Sequence, residues 1–201
     1  MIKKIAVAIA VLFCLPGVAL ATTFSGNFGV SGSALSGPGL IVQTDPVGGN
    51  FGVNLAVGQT KYIHLFDIWT NEGAVNGDDR VPQSIDVAFN LLTPTGSGVL
   101  SGESTGAGFF FPRGVVQWDT PLEIAFGPGG SGLLSVVLND ATFNWGFFGL
   151  TPGQKYGASI YAALSYDVAP VPLPAALPLL AGALGFLGLI GWRRKRTTAV
   201  A

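Results

Sequence analysis

The sequence predicts an all-β ectodomain, a β-sandwich, followed by one C-terminal transmembrane helix. Three observations carry this. Short runs of β-type residues alternate apolar and polar at period two. Glycine and proline punctuate those runs at turn spacing, with 25 of the chain's 30 glycines between residues 22 and 169. They follow no Gly-X-Y period, which excludes collagen. No long segment between the two termini carries a helical stripe.

The first element is removable. Lys3 and Lys4 precede the apolar run Ile5 to Leu15, and Ala19-Leu20-Ala21 supplies small residues before Thr22. This is the layout of a secretory signal peptide, residues 1–21, with Ala19 and Ala21 at the cleavage site. Export through the Sec pathway follows. Cleavage also removes Cys14, the single cysteine. The mature chain then has no disulfide, no thiolate nucleophile and no cysteine metal site.

Residues 22–169 form the predicted ectodomain, long enough to bury a full core. In Ser84 to Leu91, residues Ile85, Val87, Phe89 and Leu91 share one face while Ser84, Asp86, Ala88 and Asn90 share the other. That predicts a strand with one buried side. Lys61 to Trp69 (KYIHLFDIW) is apolar on both sides and predicts a central strand. Leu122 to Phe126 and Leu133 to Leu138 flank a glycine-rich loop and predict a hairpin. Gly157 to Val168 is the last predicted strand. Phe24 to Val30, Leu40 to Thr44, Gly52 to Ala56 and Phe109 to Trp118 complete the set. Leu150-Thr151-Pro152-Gly153-Gln154-Lys155-Tyr156 resembles the L-x-P-G-x-x-Y corner of fibronectin-III-like sandwiches. The resemblance implies a tyrosine hydroxyl tied back to the backbone. An immunoglobulin- or fibronectin-III-like sandwich and a jelly roll both fit this pattern.

Charge is partitioned. All eleven acids lie between Asp45 and Asp167, where the only bases are Lys61, Arg80, Arg113 and Lys155. An acidic exported domain repels phosphate backbones, so nucleic acid is excluded as a partner.

Chemistry is sparse. His64 is the single histidine, predicted to share a strand face with Tyr62 and Phe66 as a hydrogen-bonded, partly buried side chain. One histidine cannot build a multi-histidine metal site, and no G-x-S-x-G elbow is present. Asp67, Glu72, Asp86, Glu103, Asp119 and Glu123 have no spacing that singles out a glycosidase pair. No catalytic residue and no cofactor are predicted. Glu72, Asn76, Asp78 and Asp79 are oxygen ligands suited to calcium, in a spacing unlike an EF-hand. Trp69, Trp118, Trp145 and Phe109-Phe110-Phe111 are read as core, with a sugar-stacking platform as the rival.

The tail says how the chain is handled. Ala175 to Trp192 holds 18 residues without a charge, against the roughly 17–25 that span a bilayer. Arg193-Arg194-Lys195-Arg196 stop transfer and stay cytoplasmic. Residues 197–201 form a short cytoplasmic tail.

Proline motif, span and basic cluster thus follow in order, and residues 170–196 resemble the PEP-CTERM class of sorting signals. Val171-Pro172-Leu173-Pro174-Ala175 matches the motif of its VPLPA-CTERM variant. The resemblance implies an exosortase substrate, held in the inner membrane before processing and delivered to the cell surface or outside. It further implies a non-enzymatic structural or adhesive role linked to exopolysaccharide and biofilm. Two alternatives are a carbohydrate-binding module and an unprocessed single-pass membrane protein.

Overall fold

The computed structural model describes residues 21–168. Ala19, the VPLPA motif, the predicted span, the Arg193–Arg196 cluster and the tail lie outside them. Among the described residues no helix is long and apolar enough to cross a membrane.

These residues form eleven strands: β1 Thr22–Ser31, β2 Val42–Asp45, β3 Gly48–Leu55, β4 Thr60–Thr70, β5 Gln83–Thr93, β6 Gly96–Ala107, β7 Arg113–Trp118, β8 Leu122–Phe126, β9 Gly132–Leu138, β10 Ala141–Phe143 and β11 Ala158–Val168. They make two antiparallel sheets, ordered β10-β7-β6-β5-β1-β3 and β2-β4-β11-β9-β8. The architecture is all-β and consistent with a β-sandwich. Edges are short or glycine-rich, which limits edge-to-edge pairing.

The core lies between the inner faces. Phe24 of the first sheet meets Phe126 and Tyr166 of the second at ring distances of 5.2 and 5.3 Å. On β5, Ile85, Val87, Phe89 and Leu91 are all buried, as the alternation predicts. β8 and β9 pair as the expected hairpin. Ala158 to Leu164, helical by propensity alone, lies in a strand between β4 and β9.

Three expectations need correction. First, Phe66 does not share a face with His64 and Tyr62. Against β11, Phe66 pairs with Ile160 and His64 with Tyr161, leaving Leu65 as an extra residue. This β-bulge resets the alternation. Leu65 and Phe66 are both buried, while Tyr62 and His64 face outward. Second, Phe109–Phe111 belong to no strand; pairing begins at Arg113. Third, β6 and β10 carry no clear strand pattern. In β6 (GSGVLSGESTGA) glycine stands where neighbours come too close for a side chain. A Cβ on Gly102 would collide with the Gln117 carbonyl and the Trp118 ring.

The register also gives the domain two distinct ends. Thr22 at the start of β1 pairs with Leu55, and Val168 at the end of β11 pairs with Gly132. The Phe24–Tyr166 contact places these starts and ends together. Both chain connections therefore leave from one end. The β4–β5, β6–β7 and β10–β11 loops lie at the other. β11 alone separates the ends by roughly 30–35 Å, at ~3.3 Å per strand residue.

Candidate functional site

The end remote from the chain connections is an exposed aromatic tip built from two loops. Gly108–Pro112 joins β6 to β7 and carries Phe109, Phe110 and Phe111. Asn144–Gly157 joins β10 to β11 and carries Trp145, Phe147 and Phe148. All six rings belong to exposed residues, from 48% for Phe111 to 78% for Phe109. The expectation that Trp145 and the phenylalanine run are core is thus overturned.

Backbone chemistry explains why the rings face out. The loops fasten to each other through their main chains: Gly146 N–H donates to Pro112 O and Phe148 N–H to Phe110 O, both at 3.0 Å. Leu150 N–H donates to Gly73 O, and Arg80 Nη2 donates to Gly108 O at 2.7 Å. Three loops are thereby joined with their peptide groups paired inward. A Cβ on Gly146 would run into the Gly149 carbonyl, so the second loop can close only with glycine there.

Asn144 anchors the structure from below. It is fully buried and left-handed, with φ of 52°. Its Oδ1 accepts from Thr70 N–H at 2.8 Å, and its Nδ2 donates to the carbonyls of Thr151 and Gly153. Its own N–H donates to Tyr156 O. Asparagine tolerates this backbone region better than most residues. Phe148, at φ 57°, does not have that excuse. A bulky left-handed residue stores about 1 kcal/mol or more, a strain that clusters at functional sites.

The rings form one connected cluster. Phe111 stacks on Trp145 at 5.8 Å with planes 5° apart, and touches Phe147 at 5.5 Å. Phe147 meets Phe148 at 4.2 Å, Phe148 meets Phe110 at 5.8 Å, and Phe110 meets Phe109 edge-on at 5.1 Å. Such pairs contribute about 0.5–1.5 kcal/mol each beyond area burial. A contiguous exposed apolar surface of this kind is uncommon on a soluble monomer.

The other tryptophans differ. Trp118 packs edge-on to Phe66, and its Nε1 donates to Asn139 O at 3.1 Å. Trp69 lines an open groove of about 400 Å³ with Leu35, Val42, Gln43, Thr44 and Val47.

His64 is exposed and hydrogen-bonded. Its Nε2 lies 3.0 Å from Asp67 Oδ1. Residues three apart on a regular strand face opposite ways, so this pair exists because of the bulge at Leu65. Ser159 Oγ donates to the same Oδ1 at 2.7 Å. The serine hydroxyl holds the Asp67 carboxyl below its ordinary value against partial burial, with His64 and Gln154 adding to the effect. Serine, aspartate and histidine thus meet in an order unlike a catalytic triad, which needs the histidine on the serine. Here the aspartate takes both bonds.

In the oxygen-rich loop two of the carboxylates bind backbone amides. Glu72 Oε1 accepts from Ile41 N–H at 2.7 Å, and Asp79 Oδ2 from Asn76 N–H at 2.6 Å. Burial pushes the Glu72 carboxyl above its ordinary value; the Ile41 N–H opposes this, while the Asp79 and Asp78 charges add to it. Among the described residues no three histidine, cysteine or acidic side chains group as metal ligands.

The corner at Leu150–Tyr156 is tied by the carbonyl of Tyr156 receiving the Asn144 N–H. Its ring is half exposed beneath the Lys155 ammonium, 5.5 Å from the centroid. No protein-family model, no curated protein and no solved structure matches this chain.

Proposed function

We propose that this chain is an exported, non-enzymatic surface or matrix protein, delivered as an exosortase substrate, that works by adhesive contact through its aromatic tip. The carrying observation is the position of that tip. Six exposed aromatic residues crown the end of the domain opposite both chain connections. While the C-terminal connection holds the domain, the opposite end is presented to its surroundings. Delivery rests on the order of signal peptide, proline motif, apolar run and basic cluster in the sequence. The domain is assigned to the immunoglobulin-, fibronectin-III- or jelly-roll-like sandwiches, frames that commonly carry contact loops at one end.

The test is attachment of host cells that make the full chain. The double variant Phe110→Ser, Trp145→Ser is expected to reduce surface attachment several-fold while remaining folded, its melting temperature lowered by no more than the three exposed ring contacts it loses. Val99→Ser, exposed on β6 away from the tip, is the control and is expected to behave as wild type. Equal attachment by all three would remove the tip from the function. A second reading, carbohydrate binding, is favoured by the Trp69 groove, where Gln43 and Thr44 stand beside an indole.

A further inference from the structure

We propose that the aromatic tip is a self-association surface, and that its occupant is the tip of a second copy of this chain. The proposal rests on the reading of the tip as the contact surface and names the partner.

Area is the first support. Six residues that are half to four-fifths exposed present roughly 700 Å². A stable interface of ordinary size covers about 800 Å² per partner. The tip therefore matches one side of a dimer interface almost without help from its surroundings. A self-complementary surface closes with twofold symmetry, each tip meeting its own image.

Charge is the second. The three tip loops hold Glu72, Asp78 and Asp79 against Arg80 and Lys155, a net of −1. The rest of the domain holds the other eight acids against Lys61 and Arg113, a net of −6. Two copies repel each other through most approaches. Tip-to-tip contact joins the least charged surfaces and keeps the acidic bodies at maximum separation.

The rings themselves argue against two other occupants. A sugar ring needs an open aromatic face rimmed with hydrogen-bonding groups. Here the rings turn edges and faces on one another, at centroid distances between 4.2 and 5.8 Å. An anionic lipid surface attracts an apolar face ringed by excess base, and this tip has none in excess.

The chain supplies its own probe, because Cys14 is its only cysteine and falls within the predicted signal peptide. In the native host, full-length Phe109→Cys and Phe147→Cys are expected to give a disulfide-linked species of doubled mass on non-reducing gels. Ser97→Cys, exposed at the opposite end, is expected to stay monomeric. Adding Trp145→Ser to Phe147→Cys should reduce the linked fraction about tenfold or more, as truncating an interface anchor does. If neither tip variant links, or Ser97→Cys links equally, self-association is overturned. If linking fails but the Phe110→Ser, Trp145→Ser variant still loses attachment, the tip serves another occupant, such as a glycan or a lipid surface. If attachment is also unaffected, the contact reading falls as well.

Discussion

Replacing Asn144 with alanine is expected to destabilise the domain by about 3–5 kcal/mol, the largest loss from any single polar side chain here. The side chain is fully buried and makes three hydrogen bonds. Its removal leaves the buried Thr70 N–H and the partly buried carbonyls of Thr151 and Gly153 without those partners. Each orphaned group costs about 1–3 kcal/mol. Alanine also accepts φ of 52° less readily than asparagine. The loss should fall first on the tip, because the residue holds the base of the Trp145–Phe148 loop. Urea unfolding followed by tryptophan fluorescence measures both effects. Asn144→Asp should cost at least as much as Asn144→Ala, since it buries an unpaired carboxylate and sets one of its oxygens against the carbonyls of Thr151 and Gly153.

The second large effect is expected in β4. Phe66→Ala should cost about 3–5 kcal/mol, as large-to-small changes in a filled core do. The ring is fully buried and joins the two sheets, stacking near Phe28 at 6.3 Å and meeting Trp118 at 6.5 Å. Tyr62→Ala, three positions before the bulge residue Leu65, should change stability by no more than about 0.5 kcal/mol, because that ring is 75% exposed. A regular strand would put Tyr62, His64 and Phe66 on one face and give the two substitutions similar costs. Thermal melts of the pair therefore measure the bulge as well as the core.

What could be read from the chain depended on whether local pattern and environment agreed. β5 was legible because its apolar residues alternate without interruption and one face is buried. The β8–β9 hairpin was legible because glycine and proline mark its loop. β6 was not, because its packing demands the absence of side chains, and a run of glycine and serine looks like turn chemistry. The reset at Leu65 was hidden because a bulge adds one residue without changing composition. The tip was the deepest omission. Aromatic residues in a small β domain are usually core, and composition alone cannot turn a ring outward. Two local signals pointed the other way. Gly108 and Pro112 bracket the phenylalanine run, and Gly146 and Gly149 bracket Phe147 and Phe148. Glycine on both sides of an aromatic pair suits a tight loop better than a ladder. Asn144 gave no signal of its role, because that role needs Thr70, 74 residues away, while its other two bonds stay within its own loop.

The account needs the domain to leave the cytoplasm and be cut from its tail. The most direct measurement is the intact mass of the mature protein from its native host, with and without the exosortase gene. A wild-type mass that begins at Thr22 and ends between Val171 and Ala175, with the tail kept in the deletion strain, is the predicted result. Ala201 retained in both strains would contradict sorting and leave a plain anchored domain.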